Sequence, residues 1–349
     1  MDRQRPLDVL IVSLGSTAGL RAADRQLCDA LRRAGANATI ASARAPAQTR
    51  TLMLTDLAWA RATRAAARAA LARSVDPSPA IIYSSTTAAL LWPRPGAIRF
   101  DAPSAGNRPG RHGLWQRPLE RRRLRQSPLL LPWSDGALRE TPAEGDRERR
   151  TLVVPVAVER SGAPAPVRDI AAITYAANPA KKGLERVLAA WRRVRSQDGE
   201  GRTLELVVAG ASARELRDAG VDLDGEQGVR VVGALPATEY RALVRRARMF
   251  VCAPRREDYG IAQLEALADG CLLVSTPAPG PYAALPIARA LDARLVSDDL
   301  YGALRTALDD PPGADYAVRA QAALEPFARA AIDTKVADEL LGKLLEASG

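Results

Sequence analysis

The stretch VRVVGALPATEYRALVRRARMFVCAPRREDYGIAQLEALADGCLLVST, residues 229–276, changes its hydrophobic rhythm repeatedly. VRVVGAL, RMFVCAP and CLLVSTP are short apolar runs of strand length, whereas ATEYRALVRRA and IAQLEALADG carry apolar residues at helical spacing. Strands separated by helices imply a mostly parallel sheet with crossover helices, since parallel neighbours cannot be joined by a tight turn. The same alternation extends upstream through IAAITYAA, KKGLERVLAAWRRVR, TLELVVAG and SARELRDAG.

The first half repeats the pattern. DVLIVSLGS (8–16) reads as a strand, followed by a helix whose Leu20, Ala23, Leu27, Ala30 and Leu31 share a face before Gly35 stops it. NATIASA (37–43), AIIYSS (80–85), AIRF (97–100), PLLLPWS (128–134) and TLVVPVAVE (151–159) are further expected strands, and 52–73 an Ala/Arg-rich helix. ERSGAPAPVRD (159–169), rich in Pro, Gly and Ala, reads as a linker. The chain of 349 residues, 47% of them hydrophobic, can furnish two cores at roughly 100–200 residues per domain. The expected architecture is two Rossmann-like, doubly wound α/β domains, residues 1–162 and 163–330, facing a cleft, with 331–349 an amphipathic helix packing on the domain pair. Ligands of such sheets bind outside the carboxyl ends of the strands.

No apolar run approaches the roughly 18–20 residues of a membrane span, and MDRQRPLDVLIVSLG enters a strand without a cleavage signal, so a cytoplasmic protein is expected. Cys28, Cys252 and Cys271 have no metal-ligand spacing and read as buried structural thiols. Charge is lopsided. Residues 1–165 hold 26 Arg, no Lys and 14 Asp plus Glu, a net +12, while the remainder carries −2. An excess of that size speaks of anionic partners, not of fold. With 4% aromatic residues and no groove-reading motif, nucleic acid is disfavoured. The basic segment WQRPLERRRLRQ (115–126), with Leu114, Trp115, Leu119 and Leu124, suits peripheral contact with an anionic membrane, on the inner face if the protein is cytoplasmic. The loop GSTAG lacks the G-x-G-x-x-G of a nicotinamide-binding turn.

The chemistry concentrates in REDYGIAQLEALADG (255–269). Gly260 precedes a helix whose first turn offers unpaired N–H groups and the positive end of a dipole, suited to a phosphate. Glu265 falls at the edge of that helix's apolar stripe and needs a donor partner, which ribose hydroxyls would satisfy. Glu257 lies in the loop ahead, where a sugar's hydroxyls could reach it. Lys181 and Lys182, before Gly183 at a strand-to-helix turn, can reach a diphosphate over the strand ends, and Gly210 after LELVVA allows close backbone approach.

These pieces together resemble the second domain of the retaining, GT-B-fold glycosyltransferases of glycosyltransferase family 4, the glycosyl transferases group 1. The resemblance covers about residues 170–280 and rests on KKG, LVVAG, the 229–276 stretch and above all the E-x7-E spacing of Glu257 and Glu265. It implies that Glu257 contacts the transferred sugar, Glu265 the ribose and Lys182 the diphosphate, with N–H groups of Gly260 and Ile261 near the donor. It also implies a nucleotide-diphosphate sugar as co-substrate, no metal, retention of configuration, and a carbohydrate or lipid-linked acceptor held by the first domain. Two departures stand out. Ala176, Ala177 and Asn178 occupy the place where the family commonly has an arginine, and the one histidine, His112, lies twelve residues beyond Phe100. Asp101 takes the strand-end position, either capping the turn before Pro103 or facing the reacting centre. A non-catalytic module of the same fold that binds a glycan or partner, and a sugar-nucleotide epimerase, remain as alternatives.

Overall fold

The computed structural model describes residues 7–47, 49, 51–142, 147, 149–163, 165, 167–198 and 204–348. The chain forms two compact units, Met1–Ala157 with Pro326–Gly349, and Val158–Glu325.

The first unit is built on a five-stranded parallel sheet of β1 (Asp8–Ser13), β2 (Asn37–Ser42), β3 (Ala80–Tyr83), β4 (Ala97–Phe100) and β5 (Leu130–Pro132), ordered β2-β1-β3-β4-β5. Helices α1 (Ala18–Arg33), α2 (Leu52–Arg73), α3 (Thr86–Ala89), α4 (Gln116–Gln126) and α5 (Asp135–Glu140) make the connections. Thr17 and Thr51 cap α1 and α2, each side chain accepting the N–H three residues on, which satisfies an otherwise orphaned helix-start donor. Val9, Ile11, Leu27, Leu31 and Leu131 form the core on one face, and Leu10, Val12, Ala67, Phe100 and Leu124 that on the other.

TLVVPVAVE does not form a strand. Only Thr151 bridges Leu130, while the N–H groups of Leu152 and Val154 donate to the carbonyls of Leu130 and Pro132. Pro132, opposite in β5, has no N–H to return to Leu152 O, so the ladder is interrupted there although Leu152, Val154, Val156 and Val158 remain buried.

The second unit repeats the plan with β6 (Ile170–Tyr175), β7 (Leu206–Ala209), β8 (Val229–Gly233), β9 (Ala247–Cys252) and β10 (Leu272–Ser275), all parallel, ordered β10-β9-β6-β7-β8. KKGLERVLAAWRRVR is not one continuous helix. It breaks at Gly183, φ +64°, into α6 (Pro179–Lys182) and α7 (Leu184–Gln197). A Cβ at Gly183 would lie 1.9 Å from the Ala253 carbonyl oxygen, so only glycine lets this turn sit against the end of β9. Next come α8 (Ala213–Asp218), α9 (Ala237–Arg246), α10 (Ile261–Ala268), α11 (Ala284–Leu291), α12 (Leu300–Asp309) and α13 (Tyr316–Ala323). The linker stretch is tied down where it is described: Ser161 donates through both its N–H and its hydroxyl to Asp269.

The terminal segment returns to the first unit as α14 (Arg329–Lys335), a π turn over Val336–Leu340, and α15 (Leu341–Ser348). Ile332, Val336, Leu340 and Leu344, four residues apart on one face, enter that unit's core. No helix among the described residues is long and apolar enough to cross a membrane. All three cysteines are free and buried, and burial pushes the Cys271 thiol up to about 12.

Candidate functional site

In the second unit the strands run outward from β6, through β7 and β8 to one side and through β9 and β10 to the other. The loops after β6 and β9 therefore diverge at their carboxyl ends, the position where open α/β sheets bind ligands. Lys181 and Lys182 follow β6; Glu257, Asp258 and Gly260 follow β9.

These groups meet directly. Lys182 Nζ donates to Glu257 Oε2 at 2.6 Å, and Lys181 Nζ to Asp258 Oδ2 at 2.5 Å. Glu257 is nearly inaccessible, at 4% exposure. Such a carboxylate needs a cation and a donor. Lys182 is the cation and Gln263 the donor, its Nε2 lying 3.0 Å from the same Oε2. Backbone bonds pin the loop on both sides: Arg255 N–H to Lys181 O, Glu257 N–H to Pro279 O, and Tyr282 N–H to Glu257 O. Asp258 also accepts from Arg256 Nε at 3.1 Å.

Gly260, φ +90°, starts α10 with no side-chain cap, and Ile261, its first residue, is half-buried. Glu265 sits on the fifth position of α10 with 27% of its side chain exposed. Its protein partner is Arg241 of α9, Nη1 to Oε1 at 3.2 Å. Arg241 also donates through Nε to the buried Asp269 at 2.7 Å and through Nη2 to Glu159 O at 2.8 Å, so one planar guanidinium joins α9, α10 and the chain entering the unit. Burial pushes the Glu265 carboxyl above the usual range, against the pull of Arg241. Tyr175, at the end of β6, packs on Tyr240 with ring centroids 5.3 Å apart. Its hydroxyl is raised by burial and then by Glu265. Gly210, after β7, lies against the Tyr175 ring, leaving no room there for a side chain. The Tyr240 hydroxyl and Gln263 Oε1 are buried without a hydrogen-bond partner.

The expected second-domain residues thus share the strand-end region: Glu257, Lys182 and Lys181 in ion pairs, Gly260 and Ile261 at the helix start, Gly210 against the Tyr175 ring, and Glu265 paired with Arg241. Asp101 belongs to the other unit, where Oδ1 accepts from Ala102 N–H just past β4. His112 is exposed in a short 3-10 turn. Asn178 caps α6 by accepting from Lys181 N–H, while Ala176 is buried and Ala177 exposed. Arg241, Gln263 and Asp258 were not singled out from the sequence. The available signal was the demand of Glu265 for a donor, which an arginine meets as well as a hydroxyl. Among the described residues no group of three or more His, Cys, Asp or Glu is placed to hold a metal ion.

Residues 169–310, less than half of the chain, match the model of the family described as glycosyl transferases group 1. No curated protein matches. Solved structures match over nearly the whole chain. Sucrose-phosphate synthase from Thermosynechococcus elongatus is 16% identical with a TM-score of 0.74, covering 99% of this chain and 100% of its own. Anabaena HepE in complex with UDP-glucose is 13% identical with a TM-score of 0.69, covering 97% and 100%. The α,α-trehalose 6-phosphate synthase from Burkholderia multivorans is 14% identical with a TM-score of 0.67, covering 98% of each. At these identities the likeness establishes the fold: two Rossmann-like α/β domains of the GT-B class.

Proposed function

We propose that the chain is a glycosyltransferase that moves a sugar from a nucleotide-diphosphate sugar to a carbohydrate or lipid-linked acceptor. The observation that carries this reading is the Lys182–Glu257 pair at the β6/β9 divergence, within the segment matching the group 1 glycosyl transferases. A phosphate-binding cation and a hydroxyl-binding carboxylate, 2.6 Å apart, are what a sugar joined to a diphosphate requires of its site.

In this reading Lys182, with Lys181 and the N–H groups of Gly260 and Ile261, stabilises charge developing on the leaving diphosphate. Glu257 accepts from hydroxyls of the transferred sugar, and Glu265 from the ribose while Arg241 holds it in place. The reaction proceeds with retention, the leaving phosphate helping to deprotonate the acceptor, and these cationic side chains serve in place of a metal ion. HepE's complex with UDP-glucose favours a uridine nucleotide. A second reading, a non-catalytic binding module, is favoured by Ala177, where the family commonly places a cation.

Calorimetric titration with uridine, guanosine and adenosine diphosphates tests the site, alongside Lys182→Ala and Glu265→Ala. Saturable binding of one nucleotide, weakened at least about tenfold by each substitution (about 1.4 kcal/mol), is expected. Slow release of nucleotide diphosphate from the matching donor then separates a transferase from a module that only binds. Absence of both results would sink the proposal.

A further inference from the structure

The basic excess of the first half has a place in the fold. Helices α2 and α4 both contact α3 and lie on the same face of the first sheet, where Ala67 of α2 and Leu124 of α4 share one core. Their outer surfaces carry Arg61, Arg68 and Arg73 on α2 and Arg121, Arg122 and Arg125 on α4, all exposed. The only carboxylates on these helices face inward. Asp56, 3% exposed, takes a bidentate pair from Arg108, and Glu120, also 3% exposed, accepts from the N–H and hydroxyl of Ser104. Both helices therefore present arginine without exposed acid.

Exposed apolar side chains stand at the N-terminal ends of the two helices. Leu52 and Leu54 at the start of α2 are 47% and 48% exposed, and Leu114, just before α4, is 63% exposed. The Arg108–Asp56 pair binds the loop before α4 to the first turns of α2, and Arg117 donates to Gly110 O and Gly113 O, holding that loop against α4. The sequence expectation of a membrane-seeking helix over 115–126 is thereby corrected in detail. Leu124 points into the core, and Arg123 lies over the Trp92 ring with Nε on Leu90 O, so neither faces outward. Of the expected apolar residues Leu114 stays exposed, and Leu52 and Leu54 of α2 are exposed as well.

We propose that the α2–α4 face of the first unit docks on an anionic lipid bilayer, the arginines meeting headgroup phosphates and the three leucines entering the interface. Arginine pairs with phosphate through a planar fork, and several such residues near a negative surface add their attraction. Exposed leucines favour a bilayer over a polynucleotide, which would call for stacking rings.

The test is co-sedimentation of the full chain with vesicles of phosphatidylglycerol and phosphatidylcholine in equal parts, against phosphatidylcholine alone. Binding is expected only to the anionic vesicles, weakening as salt shortens the Debye length from about 10 Å to about 3 Å. The combined Arg121→Ala, Arg122→Ala and Arg125→Ala variant should bind about a hundredfold less tightly. Leu52→Ser with Leu54→Ser and Leu114→Ser should weaken binding while keeping its salt dependence, and Arg214→Ala, on α8, should change nothing. Should the α4 variant misfold by circular dichroism, Arg61→Ala with Arg68→Ala on α2 replaces it, with a loss of at least about tenfold expected. Equal binding to both vesicles, no binding to either, undiminished binding of folded α2 or α4 variants, or preference for polyuridylate over anionic vesicles would each overturn the proposal.

Discussion

Glu265 shows what can and cannot be inferred from one side chain. Its position at the border of an apolar stripe requires a donor, and Arg241 supplies one across 24 residues of sequence. Burial still raises its pKa, so the folded chain holds the Glu265 proton more tightly than the unfolded chain does. The sign follows: stability contributed by this group falls as pH rises from the ordinary carboxylate range, about 4.3, through the raised value, and is level above it. Glu205, whose pKa Arg230 lowers, contributes in the opposite sense, losing stability as pH falls. Replacing Glu265 by Gln should therefore help the protein progressively more, relative to wild type, as pH rises through weakly acidic values. Urea unfolding across that range reads the difference, and a variant-minus-wild-type curve that falls with pH would contradict the assignment. That two glutamates and two lysines stand past the strand ends was legible because their types and spacing are unusual there. Their partners were not: Lys182 and Glu257 lie 75 residues apart, and no local periodicity encodes such a contact.

At the level of helices and turns, the alternation of strand and helix was legible throughout 229–276 because the hydrophobic period itself changes there. Two features escaped that signal. TLVVPVAVE alternates like a strand, yet Pro132 opposite it lacks the N–H that a continuous ladder needs; KKGLERVLAAWRRVR has helical spacing, yet Gly183 divides it. The break at Gly183 positions Lys182, which yields a test with an internal control. Gly183 and Gly220 both have positive φ, +64° and +81°, so alanine at either costs about 1–2 kcal/mol in backbone strain. Only at Gly183 would the new methyl meet another atom, 1.9 Å from Ala253 O; at Gly220 nothing lies within 4 Å. Gly183→Ala should thus lower stability more than Gly220→Ala and, by displacing α6, also weaken nucleotide binding. Urea titration compares the stabilities and calorimetry the affinities. Equal effects of the two substitutions on both would show that α6 is not held against Ala253 as described.

The two-unit organisation was legible because a Pro/Gly-rich stretch separates two runs of the same alternation. Where the last helix packs was not, since amphipathicity shows that a face is buried without naming the surface that buries it. The chain resolves this by returning: Leu340 and Leu344, at 0% and 1% exposure, complete a core with Val9, Ile11 and Leu31. The terminal segment is thus structurally part of a unit whose other residues end near 157. Truncating Leu340 to Ala leaves a cavity in a core that includes β1, over three hundred residues earlier, at an expected cost of about 2–5 kcal/mol. The proposed nucleotide site belongs wholly to residues 158–325, so this loss should fall on the first unit while nucleotide affinity at low temperature is preserved. Calorimetric unfolding with and without nucleoside diphosphate distinguishes the effects, because a ligand at about 100 times its Kd adds about 2.7 kcal/mol to the state that binds it. If Leu340→Ala instead abolished nucleotide binding in protein still folded by circular dichroism, the site could not be confined to the second unit.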